Sequence, residues 1–348
     1  MDNLAHALVG AALGRAVADR HVPHAAWIGA IAANAPDWTE FLVGLPGSRA
    51  DYLVLHRGIT HSLLGAGIEI AALTALPAAA WWRAGTRPPW RWLLACVGIA
   101  VLSHLFMDWQ GSYGWRPFLP WSNVWHYLDW VAIVDPFYWL VPLTALAWGA
   151  NRHWLPLSGF ALIGAAIVVL MLVQHELVAP WVLIVSAVIA TLGVVGWTGF
   201  WFGPVRGQRL AGYALLLLAV YAGAQGIASG RRKAAIASVA ARRFGPAATW
   251  AALTEIGHPF TWEAIYASVD TVAGDDWSLP RHTDVPAVAR ALRDTRDGRA
   301  IAQFARFLAA EVDSSAATIY IRDARYARAS RNGWGVVRIR LWEGRPGS

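Results

Sequence analysis

Residues 177–203 carry no charged side chain, and neither do residues 155–174, 210–230 or 136–151. A bilayer's hydrocarbon core requires about 20 consecutive apolar residues of helix. Runs of this length and purity are therefore read as membrane spans. Residues 59–82 add a further run broken by Glu69, with His61 near its start, and residues 92–107 add one that contains His104. These runs predict about six spans. The first 45 residues hold shorter apolar stretches, 3–18 and 25–43, which suit N-terminal interfacial or re-entrant helices. Trp recurs at the predicted span ends (Trp81, Trp82, Trp90, Trp92, Trp109, Trp130, Trp154, Trp181, Trp201), where amphipathic rings favour the interface. No basic n-region of a signal peptide precedes the first apolar stretch.

Charge divides the chain near residue 230. Residues 1–230 hold 11 Arg against 10 acids, and residues 231–348 hold 18 bases against 12 acids. The predicted organisation is a transmembrane domain over 1–230 and a small soluble α+β domain over 231–348. The fold class is mainly α. The single cysteine, Cys96, excludes an intrachain disulfide and a thiolate metal site. An overall charge of +7 in so apolar a chain points to a lipid bilayer as partner rather than nucleic acid. Arginines between the predicted spans collect on one side (Arg83, Arg87, Arg91, Arg152, Arg206, Arg209), which marks that side as cytoplasmic. With six spans this puts the C-terminal part outside, against which Arg231, Arg232 and Lys233 argue.

Ionisable groups in or beside spans are costly and point to function. Asp2 and His6 are spaced i,i+4, as are His104 and Asp108, so each pair shares a helix face. Asp37 follows Pro36 at the end of an apolar stretch. His56 and His61 flank the start of the first long span, with Gly58 predicting a bend between them. A span's start and its antiparallel neighbour's end meet at one membrane face, which brings His56 and His61 toward His104 and Asp108. The candidate metal ligands are His6, Asp37, His56, His61, His104 and Asp108. Imidazole and carboxylate donors suit zinc first, with manganese or iron as alternatives, and six groups accommodate one or two divalent ions. Asp2 or Asp135 is a candidate general base. Arg57 and Arg116 are candidates to neutralise developing negative charge. The Asp135-Pro136 pair equally suits the N-cap and first turn of the next helix. The loop from Trp109 to Trp130 contains five Trp. It fits a water-excluding cap over a site and, equally, a membrane-interface segment.

Taken together, MDNLAHALVGAALGRA at the start, NAPDW at 34–38, HRGITHS at 56–62, SHLFMDW at 103–109 and the run from Arg116 to Pro136 resemble the YdjM-like family of LexA-regulated, membrane-bound predicted metal-dependent hydrolases. The resemblance covers about the first 140 residues. It implies a multi-pass protein of the bacterial inner membrane and a metal-dependent hydrolase. Its polar motifs fall on Asp2, His6, Asp37, His56, His61, His104 and Asp108. Thr39 stands where the family often has a second acid. The expected function is hydrolysis of an ester or phosphoester in a lipid or lipid-linked substrate. A metal-binding transporter and a non-catalytic membrane scaffold are the alternatives. Substrate and oligomeric state are not encoded in any motif.

In the C-terminal part, residues 286–292 and 300–310 predict short helices. Residues 260–270, 317–322 and 334–342 predict strands, the last two pairing antiparallel.

Overall fold

The computed structural model describes residues 1–39, 49–150, 154–198 and 203–340, with side chains described from 52, 159 and 206 in the later segments and as far as 196 before the last gap. Two compact units emerge. The first comprises Met1–Trp38, Ile59–Ser229 and Thr254–Thr261, and the second Thr39–Gly58, Gly230–Leu253 and Trp262–Ser348. The division near residue 230 coincides with the change in composition. Two short segments fall across it in sequence, 39–58 into the second unit and 254–261 into the first.

The first unit is helical. Its elements are α1 (Asn3–Ala18), α2 (Ala25–Asn34), a 3-10 turn (Ala35–Asp37), a second 3-10 turn (Ile59–His61), α4 (Leu63–Arg83), α5 (Trp90–Gln110), α6 (Pro136–Trp148), α7 (Trp154–Val173) and α8 (Pro180–Thr198). Most of α9 (Gly203–Phe244) also belongs to it, and α3 (Arg49–Leu55) belongs to the second unit. Among the described residues, three helical segments are long and apolar enough to cross a membrane: Leu63–Arg83, Trp90–Gln110 and Arg206–Phe244. Two shorter apolar segments, Gly159–Val173 and Pro180–Gly196, lie in α7 and α8. The run at 136–151, expected to span, forms a helix of 13 residues. At 1.5 Å per residue it rises about 20 Å, short of a hydrocarbon core of about 30 Å. Gly149 caps it before it can cross.

Helix α1 lies between two apolar clusters. One joins Leu8 and Val9 to Phe137, Leu140 and Leu143 of α6 and to residues of α7, α8 and α9. The other joins Ala18 to Ala25 and Ala33 of α2 and to Val97, Val101 and Leu105 of α5. Antiparallel α1 and α2 approach until backbones touch. A Cβ on Gly10 would collide with Gly29 O and Ala33 Cβ, one on Gly14 with Ala25 O, and one on Gly29 with Gly10 O. Small residues spaced i,i+4 permit such approach in lipid, where close van der Waals packing replaces the hydrophobic effect. Along α6, α1 is held at both ends. Trp139 Nε1 donates to Asp2, and Arg15 donates from Nη1 to Leu146 O at 3.2 Å and from Nη2 to Gly149 O. The arginine thereby satisfies carbonyls left open at the end of α6.

The second unit is α+β, as expected. Its four-stranded sheet has the order β1 (Thr249–Thr254), β2 (Trp262–Ala267), β3 (Thr271–Ala273), β4 (Ser278–Pro280). A three-stranded antiparallel sheet joins β5 (Leu308–Asp313), β6 (Thr318–Asp323) and β7 (Val336–Arg340), with Glu311 opposite Tyr320 and Tyr320 opposite Arg338. The predicted pairing of the last two strands is present. The helix expected at 300–310 is present only as far as Phe304. Helix α11 (Arg296–Phe304), which follows α10 (Pro286–Asp294), ends at Phe304, and β5 begins at Leu308. Ala309, Ala310 and Val312 read equally as helix or strand in isolation. Pairing with β6 decides for the strand.

Candidate metal centre

The centre assembles from four elements of the first unit. Asp2 starts α1: its Oδ1 accepts from the amides of Leu4 and Ala5, both at 3.0 Å. One turn later His6 is fully buried. The 3-10 turn after α2, with Pro36 in its first turn, delivers Asp37. The second 3-10 turn delivers His61. Ser62 then caps α4 by accepting from Gly65 N at 3.0 Å and ties back by donating to Ile59 O at 2.7 Å. Helix α5 supplies His104 and Asp108 from one face.

Their polar atoms converge. His61 Nε2 lies 3.1 Å from His104 Nε2, 3.1 Å from Asp37 Oδ1 and 3.4 Å from Asp108 Oδ2. His104 Nε2 lies 3.5 Å from Asp37 Oδ1 and 3.6 Å from Asp108 Oδ2. His6 stacks on His104 with ring centroids 3.8 Å apart, and its Nε2 is 3.3 Å from Asp108 Oδ1. The Met1 amino nitrogen is 2.6 Å from the same oxygen. His104 Nδ1 lies 2.6 Å from Ala33 O. A carbonyl only accepts, so Nδ1 carries the proton and Nε2 presents a lone pair. Trp115 Nε1 donates to the carbonyl of His61 and holds its backbone.

These donors fit a metal ion. Two overlapping trios, His6–Asp37–His104 and His61–His104–Asp108, bring three ligand atoms within 4.8 Å of one another. A tetrahedral ion with bonds of about 2.0–2.1 Å to nitrogen and oxygen holds its donors about 3.3 Å apart. The separations among His61, His104, Asp37 and Asp108 bracket that value. Among the described residues the buried Nδ1 of His6 makes no hydrogen bond, and its buried Nε2 has only the 3.3 Å approach to Asp108 Oδ1, which is costly unless something else satisfies the ring.

Five of the six ligand candidates thus stand together in the first unit. His56 belongs to the second unit, its ring stacked on Tyr52 at 5.0 Å and edge-on to Trp334 at 6.3 Å. Gly58 marks the bend, and Arg57 before it has a left-handed φ of 51°. Arg57 is buried in that second unit. The other candidates for catalysis have architectural partners. Besides capping α1, Asp2 accepts from Trp139 Nε1 at 2.9 and 3.0 Å. Asp135 caps α6 through Phe137 N at 2.9 Å, as the Asp-Pro pair implied, and accepts from Tyr221 at 2.7 Å. Arg116 donates to Asn123 Oδ1 at 2.9 Å and lies 4.4 Å over the Trp125 ring. Sequence reasoning missed Trp115 and Trp139, whose indoles hold His61 and Asp2, because neither has a spacing that points to its partner. It also missed the Gly10–Gly29 contact. The GxxxG pattern of Gly10 and Gly14 was the available signal.

Fold and site together define a helical membrane protein with a buried His–Asp cluster suited to a metal ion. The chain belongs to the YdjM family of inner membrane proteins, whose model matches residues 1–178 and so includes every residue of the cluster. It is also similar to the uncharacterized protein YfhP of Bacillus subtilis, 30% identical over 155 residues, which is 42% of this chain and 46% of that protein. The alignment therefore spans less than half of the relative's length. No solved structure matches the chain.

Proposed function

We propose that this inner membrane protein is a metal-dependent hydrolase acting on an ester or phosphoester of a lipid or lipid-linked substrate at the bilayer face. The observation that carries the reading is the pair of imidazole nitrogens, His61 Nε2 and His104 Nε2, 3.1 Å apart and within 3.1–3.6 Å of carboxylate oxygens from Asp37 and Asp108. Those four residues would hold the metal, zinc being the natural occupant of such donors. His6 supplies a fifth donor. Its Nε2 lies 3.3 Å from Asp108 Oδ1, so it would be available to one ion or to a second.

A divalent ion held there would supply Lewis-acid activation of water and of an ester or phosphoryl oxygen. The chain's own residues orient the site. Ala33 O fixes the His104 tautomer, and Trp115 fixes the His61 backbone. The cluster joins the start of α4 to the last turn of α5, and therefore sits at one end of two spans, where a lipid presents its ester and phosphate groups.

The test is elemental analysis of detergent-purified protein, followed by assay against carboxylester and phosphoester lipids in mixed micelles. The expected result is one or two equivalents of zinc, manganese or iron, with hydrolysis lost on chelation and restored by the metal. Metal-loaded protein that cleaves only soluble esters would remove the lipid assignment. Folded protein that takes up no metal would sink the reading.

A further inference from the structure

The segment from Ser112 to Trp130 is a finger whose tip turns three large apolar side chains outward. Trp115 and His126 pair by two backbone hydrogen bonds, at 2.9 and 2.8 Å, and form the stem. Ser122 N donates to Phe118 O at 2.9 Å and closes the tip. Inside, Arg116 is buried against Asn123 and Trp125. Outside, Phe118 is 50%, Trp121 77% and Val124 59% exposed. A loop built for water has the reverse arrangement, with its cation outward and its aromatics inward.

The root of the finger fixes its depth. Leu63 N, at the first turn of α4, donates to Pro117 O at 2.9 Å. At the end of α5, Trp109 O accepts from Leu128 N at 3.2 Å and Gln110 O from Trp130 N at 2.7 Å. The finger thus springs from the same end of two spans, the end that carries Leu63 and Leu64 on α4 and Phe106 on α5, all exposed and apolar. Its tip continues the lipid-facing surface of those spans into the interfacial layer, the zone that Trp and Phe prefer.

We infer that the Phe118–Val124 tip is a membrane-inserting element that lies in the interfacial region of the bilayer at the His61 end of the spans. Trp115 ties the stem to the His61 carbonyl, so the depth of the tip also fixes the depth of the cluster relative to the headgroups. The inference concerns a contact with lipid and holds whether or not the cluster is catalytic.

The experiment is depth measurement by spin labelling of the full chain in nanodiscs of phosphatidylethanolamine and phosphatidylglycerol. Cys96 is buried, and unlabelled wild type controls for it. Nitroxides at Phe118→Cys, Trp121→Cys and Val124→Cys are compared with a control inside the α4 span, Ile68→Cys, and a control in the second unit, Ser314→Cys. Collisions with oxygen and with a water-soluble nickel chelate are both read. The expected result is an oxygen-to-nickel ratio severalfold above that of Ser314→Cys and below that of Ile68→Cys at all three tip positions. A ratio equal to that of Ser314→Cys would place the tip in water and overturn the inference. Low collision with both reagents would show protein covering it and overturn the inference equally. As a check free of cysteine variants, lipids brominated near the headgroup should quench wild-type fluorescence more than that of Trp121→Phe. Equal quenching would count against insertion.

Discussion

His104 donates from Nδ1 to the carbonyl of Ala33 across 2.6 Å, and this contact leaves its Nε2 lone pair facing His61 Nε2 3.1 Å away. Second partners of this kind set the tautomer of metal-binding histidines. Here the partner is the backbone of α2, so the ligand face of α5 depends on how α2 packs.

The division of the two neighbouring histidines between units gives a direct test. His61→Ala is expected to abolish bound metal, whereas His56→Ala, whose ring packs on Tyr52 and Trp334, is expected to keep it. Elemental analysis of both variants at matched monodispersity checks this. Loss of metal in both would return His56 to the ligand set.

The contact of α1 with α2 is expected to matter at a distance from the donors. Gly29→Val places a side chain against Gly10 O and the Gly14 backbone. Overpacking of this kind costs about 1–3 kcal/mol where the neighbours shift, and more where they are backbone. The helices that carry His6 and Asp37 must separate, so metal affinity should fall along with thermal stability. A metal titration and a melting curve on Gly29→Val, beside Gly67→Ala, whose Cβ meets nothing within 4 Å, would separate the two effects.

Asp135 should make the protein lose stability as pH rises. Burial pushes its carboxyl up to about 6, against hydrogen bonds from Tyr221 and from the amides of Phe137 and Tyr138. The ordinary value is 3.8. Between these values the folded chain keeps a proton that the unfolded chain has released. The stabilising contribution is complete below about pH 4 and is lost as pH rises through 6. Each tenfold change in proton affinity is worth about 1.4 kcal/mol, so the whole effect is on the order of 3 kcal/mol. Asp135→Asn retains an N-cap side chain without titrating. The stability of wild type relative to this variant should therefore decline from pH 4 to 7. Melting curves across that range check it, and a flat difference would contradict it.

The second unit offers a contrast between a buried ion pair and exposed ones. Asp323 and Arg325 are both buried, with Arg325 Nη2 2.7 Å and Nε 2.9 Å from Asp323 Oδ2. Asp323 also accepts from the amides of Arg306 and Arg325. Asp323→Ala leaves an arginine uncompensated, at a cost of about 3–5 kcal/mol. Arg331, half exposed, bridges Glu311 and Asp313, and Arg331→Ala should cost far less, because solvent screens those pairs. Proteolysis of residues 230–340 in the two full-length variants should differ accordingly.

Parts of this architecture are legible in single stretches of sequence. Long apolar runs report α4, α5 and α9, because a span is a local property of about 20 residues. Spacing reports that His104 and Asp108 share a face, because the helix repeat fixes that geometry. Asp135-Pro136 reports the start of α6, because cap chemistry is confined to one turn.

What the sequence determined by itself is therefore a helical membrane chain with a C-terminal α+β extension and a set of histidines and aspartates able to meet at one face. Only the tertiary structure decided which of them meet. His56 and His61 stand five residues apart, yet one stacks on Tyr52 of the second unit and the other faces His104. His6 and Asp37 reach the cluster because Gly10 and Gly29 let two backbones touch. Spacing along a chain fixes geometry within a turn or two. Convergence of four separate segments depends on how closely their helices pack, which no one segment encodes.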